Sequence, residues 1–304
     1  MHDVPTTKAP LKPDAKSSSE IAKALDEYNH IPGFFNLTLS YRNDSDVHAP
    51  YGKYKYVPFN NTRSHKLYLT AKRQKMNTMI RKKKHPIVWF VSHCDVPSKR
   101  MLMANELSKY IEIHIYGECG WNNCTRNSSE LCNRLLSTDY WFVFAAENNI
   151  CDQYITEKYW QRIKYWTVPI VLKRDIYESL VPPNSFVAVS DFDSVKHLAV
   201  YLKSLIANST MYAKYFDWKF PMQSSTQPGG QVEIEVNYSY ALCNLVVKLL
   251  SRTDAKSHEP SIYYDFNKWW FGGDNMCDNG FVERYLNNSR KITKTGNRVT
   301  VGPH

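Results

Sequence analysis

The densest group of reactive side chains is Glu147-Asn148-Asn149-Ile150-Cys151-Asp152-Gln153-Tyr154-Ile155-Thr156-Glu157-Lys158, which gathers acids, amides, a phenol and an adjacent acid–base pair. It follows the apolar run at residues 140–145 and leads into a helix read over residues 155–166. A helix start attracts a diphosphate through its free N–H groups and its dipole, and Lys158 adds a full positive charge. A carboxylate such as Glu157 accepts hydrogen bonds from ribose or sugar hydroxyls. Thr156 and Glu157 are equally well read as ordinary helix-start residues. Arg100 follows an apolar strand by a short loop, from where its forked donors reach the same face and grip a phosphate. The competing reading leaves Arg100 as a solvated helix-start residue, so only convergence of Arg100 and Lys158 on one anion makes both functional.

These residues need a scaffold. Apolar runs predict strands at 86–92, 112–116 (closed by Gly117), 140–145, 169–172 and 186–189. Between them lie a helix capped by Ser98 with Met101, Leu102, Leu107 and Ile111 at near-helical spacing, and helices at 129–136, 155–166, 194–206 and 238–250. Such alternation predicts α/β architecture with a parallel sheet, because parallel neighbours need crossover connections. Ligands of such sheets sit at the carboxyl ends of strands, here just after Ser92, Tyr116 and Ala145. Neither G-x-G-x-x-G nor G-x-x-x-x-G-K-S/T occurs, so an ordinary dinucleotide fold and a P-loop are unsupported. Residues 1–33 read as a Pro-, Ser- and Lys-rich lead-in, with a short helical stretch at 20–28, and the basic tail after Arg290 as frayed.

The 304 residues, 43% of them hydrophobic, suffice for a proper core. A net charge of +10 suits an anionic partner. Arg81, Lys82, Lys83 and Lys84, with Lys72, Arg73 and Lys75 upstream, read as a solvated face or a loop ahead of a strand, or alternatively as a phosphate-binding patch; no nucleic-acid partner is expected. The seven cysteines contain no C-x-x-C pair, which argues against a zinc ribbon and leaves a disulfide framework open. Glycosylation sequons recur at Asn36, Asn43, Asn60, Asn123, Asn127, Asn208, Asn237 and Asn287, with Asn36, Asn60, Asn123 and Asn208 taken as the acceptor candidates. That density favours a lumenal protein. The opening residues are polar and no apolar run approaches membrane-spanning length, so the chain is expected to be a short form of a longer anchored protein.

Phe35-Asn36-Leu37-Thr38-Leu39-Ser40-Tyr41-Arg42-Asn43-Asp44-Ser45-Asp46, followed by Pro50-Tyr51-Gly52, resembles the F-N-x-T-x-(S/T)-Y-R-x-D-S-D…P-Y-G signature of the α-1,3/α-1,4-fucosyltransferases, glycosyltransferase family ten. Val91-Ser92-His93-Cys94 with Arg100, Tyr116-Gly117-Glu118-Cys119-Gly120, Tyr154-Ile155-Thr156-Glu157-Lys158, Val181-Pro182-Pro183-Asn184-Ser185-Phe186 and Tyr215-Phe216-Asp217-Trp218 agree in order. The resemblance runs from about residue 34 to 218. It implies a GT-B fold of two Rossmann-like domains, of which this chain carries mainly the C-terminal, donor-binding one at 34–220, with a lead-in at 1–33 in place of the acceptor domain and a C-terminal extension at 221–304.

The same resemblance implies transfer of L-fucose from GDP-fucose to the 3-hydroxyl of GlcNAc in N-glycans or related glycoconjugates, with inversion. Arg100 and Lys158 would neutralise the diphosphate; Asn148, Tyr154 and Glu157 would contact ribose and fucose, with Glu157 also the catalytic candidate on this segment; Tyr41 and Arg42, with Asp44 and Asp46, would shape the cleft. No metal is implied, since cationic side chains take that role. The partners implied are GDP-fucose, a GlcNAc-containing acceptor and, through an anchor outside this chain, the Golgi membrane. The family's general base is a glutamate upstream of the F-N-x-T motif; Glu20 stands at roughly that distance but lacks the family's neighbouring proline. Glu20 is therefore the weak candidate base, and a non-catalytic form that binds GDP-fucose or a full-length partner is the alternative reading.

Overall fold

The computed structural model describes residues 35, 37–58, 62–120, 129–221, 230–236, 239–254, 263, 265–271 and 276–295. Glu20, the lead-in, and Asn36, Asn60 and Asn123 lie outside the described residues. The chain begins with β1 (Leu39–Ser40), β2 (Val47–His48) and β3 (Lys53–Pro58), then the long helix α1 (Thr62–Lys82). There follow β4 (His85–Phe90), α2 (Arg100–Leu107), β5 (Ile113–Tyr116), α3 (Ser129–Thr138), β6 (Tyr140–Phe144), α4 (Glu157–Trp160), β7 (Val168–Val171), β8 (Val187–Ala188), α5 (Val195–Ala207) and α6 (Ser209–Ala213). Next come β9 (Gly230–Glu235), α7 (Ser239–Asp254), α8 (Phe266–Phe271) and α9 (Phe281–Thr295).

Five strands form one sheet in the order β5-β4-β6-β7-β8, every neighbouring pair parallel. Every residue of β6 (YWFVF) and β7 (VPIV) is buried, as strands covered on both faces require. The α/β class and parallel sheet expected from the sequence are present, and the strand positions agree to within a few residues. Helix α5 also falls where expected: Ser194 Oγ accepts from His197 N, and Val195, Leu198, Ala199, Leu202 and Leu205 bury one stripe.

Three expectations are corrected. Ser98 is not the N-cap of α2: Lys99 holds that position in a left-handed conformation with φ 51°, while the buried Ser98 hydroxyl donates to Glu147 O at 2.7 Å. The helix read over 155–166 is one turn of α-helix, Glu157–Trp160, followed by a 3-10 turn at Arg162–Lys164. The Ile163 and Tyr165 carbonyls are taken by the buried Lys219 amine instead of by further helical N–H groups. The basic run is not uniformly solvated either. Arg81 and Lys82 sit in the last turn of α1, where the helix dipole favours cations, but Lys83 is buried and donates to Tyr140 O at 2.6 Å. Burial pushes the Lys83 amine down to about 7, opposed by Asp139.

The described parts of 221–304 pack into the rest. Strand β9 pairs antiparallel with β3 from Lys53↔Glu235 to Pro58↔Gly230. Helix α9 buries Val282 and Leu286 in the main core, and its Ser289 Oγ accepts from Val195 N at 3.0 Å.

The motif Thr38…Asp46 is a staple for these later segments. Asp46 Oδ2 accepts from Thr38 N at 2.9 Å, Thr38 Oγ1 at 3.0 Å and Tyr263 OH at 2.9 Å, and Oδ1 lies 3.3 Å from Lys248 Nζ. Burial raises the Asp46 carboxyl, but these donors outweigh it and hold it below its ordinary 3.8. Asp46→Ala is expected to cost about 3 kcal/mol in denaturant unfolding, since it leaves the buried Thr38 donors and the partly buried Tyr263 hydroxyl unmatched. Because the folded-state pKa is the lower one, that contribution is present at neutral pH and fades as pH falls below 3.8, so wild type and variant converge in acid.

Candidate functional site

Numbering the parallel strands in chain order gives the spatial order 2-1-3-4-5, whose direction reverses between β4 and β6. A crevice opens outside the carboxyl ends of the two strands that flank such a reversal. Arg100 belongs to the segment after β4, and Glu147 and Asn148 to the segment after β6. Topology alone therefore brings together what the sequence separates by nearly fifty residues.

The two segments are stitched to each other. Ser98 N donates to Asn148 O at 2.9 Å, and Arg100 donates through Nη1 to Ala146 O at 2.8 Å and through Nη2 to His93 O at 2.9 Å. Arg100 is only 2% exposed, and its Nε has no hydrogen-bond partner. Asn148 Oδ1 is likewise buried without one. An orphaned buried donor at the start of α2 and an orphaned buried acceptor on the loop after β6 mark polar capacity that the fold does not use internally. Burial works against the Arg100 charge, and the Glu147, Tyr154 and Glu157 side chains oppose that effect.

Glu147, 5% exposed, organises the other half of the site. Its Oε1 accepts from Thr156 N at 2.8 Å, the Thr156 hydroxyl lies 2.7 Å from Oε2, and Lys158 Nζ lies 3.1 Å from Oε2. Thr156 in turn caps α4 by accepting from Lys158 N. The Lys158 ammonium also donates to Thr156 Oγ1 at 3.0 Å and to Glu157 Oε1 at 3.3 Å. Burial pushes the Glu147 carboxyl above its ordinary value, with Lys158 pulling the other way. Burial also disfavours charge on Lys158, but Glu147 and Glu157 outweigh it and raise its pKa, so the ammonium stays protonated. Glu157, about half exposed at its side chain, is held below its ordinary value because Lys158 and local hydrogen bonds overcome burial. It stays a carboxylate, free to accept from hydroxyls. Since α4 is a single turn, the full charges of Arg100 and Lys158, not a helix dipole, dominate here.

A phenol cluster forms one wall. Tyr41 and Tyr154 rings lie 5.0 Å apart, Tyr51 and Tyr154 6.0 Å, and Tyr41 and Trp270 of α8 6.0 Å. Burial pushes Tyr41 up to about 12 and Tyr154 well above the ordinary range, so both keep their protons and donate. Arg42 is occupied differently: it forks onto Asp44, with Nε at 2.7 Å, and donates to Trp269 O. Its guanidinium braces the wall instead of standing open beside Arg100. Asn208 is exposed at the start of α6, where its Oδ1 accepts from Met211 N; a glycan would join the other amide atom.

Sequence reading did not assign Glu147 its role as the partner of Lys158, nor find the disulfides. Cys94–Cys119 ties together the loops after β4 and β5, and Cys151–Cys277 ties the loop after β6 to the segment preceding α9. Around the latter, Ile150 N donates to Asn279 Oδ1 at 2.8 Å, Asp152 N to Met276 O at 2.9 Å, and Asp278 N to Ile150 O at 2.6 Å. Cys132 is also disulfide-bonded, and Cys243 is free and exposed. Among the described residues no helix is long and apolar enough to cross a membrane.

Comparison with known proteins bears on this arrangement. The family model described as "Glycosyltransferase family 10 (fucosyltransferase) C-term" matches residues 80–269, well over half of the chain. The chain is 34% identical over 252 residues to alpha-(1,3)-fucosyltransferase C of Drosophila melanogaster, covering 81% of this chain and 55% of that protein. It is 39% identical over 194 residues to alpha-(1,3)-fucosyltransferase fut-1 of Caenorhabditis elegans, covering 62% and 42% respectively. The chain thus spans about half the length of the curated relatives it matches. A crystal structure of an alpha1,3-fucosyltransferase with GDP-fucose aligns over 65% of this chain and 55% of that one, at 16% identity and TM-score 0.43.

Proposed function

Because the chain belongs to glycosyltransferase family 10, the fucosyltransferases, we propose that the crevice between β4 and β6 is a GDP-fucose site and that the chain is the donor-binding part of an α-1,3-fucosyltransferase. The observation that carries this reading is the arrangement of Arg100 and Lys158 on the two segments that flank the topological reversal. Both are cations partly withdrawn from water, and the orphaned Arg100 Nε and Asn148 Oδ1 add unused polar capacity at the same place.

In this reading Arg100 and Lys158 take the diphosphate charge as GDP leaves, the role a metal ion fills in other transferases. Because Lys158 is already shared by two carboxylates, its bond to phosphate is made at the expense of its contact with the exposed Glu157, while the buried Glu147 contact holds it in place. That exchange releases Glu157 to accept from a sugar hydroxyl. Tyr154 and Asn148 supply neutral contacts to ribose and fucose, and Tyr41 packs behind Tyr154. The acceptor is a GlcNAc 3-hydroxyl, deprotonated by a general base as it attacks fucose C1. Golgi residence through an anchored full-length form completes the proposal.

Calorimetric titration of GDP and GDP-fucose into the folded chain, followed by a transfer assay with chitobiose-core and lactosamine acceptors, tests it. Saturable binding of GDP, with UDP at least tenfold weaker, is the expected result. Absence of GDP binding overturns the donor-site reading. Binding without transfer to either acceptor favours a non-catalytic donor-binding form.

A further inference from the structure

At the amino end of the same sheet, opposite the donor crevice, His85, Glu112 and His114 gather on one side of β4 and β5, their ligand atoms all within 4.8 Å of one another. We propose that this cluster is a divalent-metal site of the borderline class, suited to Zn²⁺, that clamps the beginnings of β4 and β5. Two imidazoles and one carboxylate are a zinc donor set, and the fourth position falls to water.

The geometry is close to what an ion needs. Tetrahedral Zn–N and Zn–O bonds of about 2.0–2.1 Å place ligand atoms about 3.3 Å apart, so a contraction of about 1.5 Å at most, within the reach of side-chain rotation, closes the set. Glu112 and His114 are two residues apart along an extended chain and so share a face. Glu112 Oε1 already stands 2.7 Å from His114 Nε2. His85 brings its ring centroid to 4.7 Å from that of His114. The start of β4 is fixed, because His85 N donates to Asp139 O at 2.9 Å.

An outer partner is also in place. His114 Nδ1 is 2.6 Å from Tyr140 OH, which is 3.1 Å from Tyr116 OH. A metal-binding imidazole holds its other nitrogen on just such a partner, which fixes ring orientation and leaves Nε2 for the ion. Tyr140 opens β6 and the donor crevice lies beyond Ala145, roughly 16 Å away at the rise of a strand. The ion is therefore structural: it joins strand beginnings and takes no part in transfer, and the proposal stands apart from the donor-site reading.

The test is Zn²⁺ titration, by calorimetry and with a competing chromophoric chelator, into the chelator-washed, untagged chain carrying Cys243→Ser, which removes the exposed thiol as a rival ligand. One Zn²⁺ per chain is expected, with a metal-dependent rise in Tm. Glu112→Gln, at an exposed position, is expected to keep the metal-free Tm and weaken binding at least tenfold; His85→Asn is expected to do the same. Absence of stoichiometric binding, or binding undiminished in both variants, overturns the proposal.

Discussion

Arg100→Lys is expected to weaken GDP binding about 10- to 100-fold while leaving a folded chain. The guanidinium spans the Ala146 and His93 carbonyls, and its buried Nε, which has no partner, keeps hydrogen-bonding capacity that the fold does not use. An ammonium has the same charge but lacks the planar fork, so it cannot hold both carbonyls and a phosphate. Loss of one charge-assisted hydrogen bond, about 1.5–3 kcal/mol, gives roughly that range. Arg100→Ala is the harsher change, because it takes the donor from the buried Ala146 carbonyl and from the partly buried His93 carbonyl and removes the guanidinium that lies 5.6 Å from the Trp89 ring. Calorimetry on the lysine variant, with thermal unfolding as the control for folding, is therefore the decisive comparison. Arg42→Lys provides the contrast. Since Arg42 is engaged with Asp44 and the Trp269 carbonyl, it is expected to lower stability more than GDP affinity. Unchanged GDP affinity in Arg100→Lys would remove the central support for the donor site.

The second large effect concerns the Cys151–Cys277 bond, which spans 126 residues, against 25 for Cys94–Cys119. Chain entropy assigns about 5 kcal/mol to closing the longer loop and about 3.5 kcal/mol to the shorter. Cys277→Ser is thus expected to lower unfolding free energy by about 4 kcal/mol or more and to exceed the loss in Cys119→Ser. It is also expected to weaken GDP binding, because the segment 149–152 loses its anchorage on Met276, Asp278 and Asn279, next to Asn148. Denaturant midpoints of wild type, Cys277→Ser and Cys119→Ser, all without reductant, measure this. A variant as stable as wild type means that hydrogen bonding alone holds the segment.

Much of the sheet was legible because its strands are buried on both faces and read as unbroken apolar runs, β6 most clearly. Convergence of Arg100 with Asn148, Tyr154, Glu157 and Lys158 follows from the same reading once parallel strand order is known. What escaped has non-local causes. Helix α1 is mostly polar and buries little beyond Met76 and Ile80, so its apolar stripe is thin. Strand β3 has its partner in β9, about 180 residues later by the Lys53↔Glu235 pairing and far outside any local window. Glu147 appeared as one acid among several until folding put it within reach of Lys158. His85 joins Glu112 and His114 only because β4 and β5 are neighbours. Ser98 had the chemistry of a cap but was drawn inward by a carbonyl of the facing loop.

The pairing of β3 with β9 has a consequence for biosynthesis. On a ribosome adding 5–20 residues per second, β9 follows β3 by roughly 10 to 30 s, during which β3 has no antiparallel neighbour. Its sequence, Lys-Tyr-Lys-Tyr-Val-Pro, is aromatic enough to recruit a foreign strand, yet its lysines and terminal proline oppose such pairing. Those lysines later meet Glu233 and Glu235 on β9. The same charges thus guard the nascent edge while it waits and select its proper partner when that partner emerges.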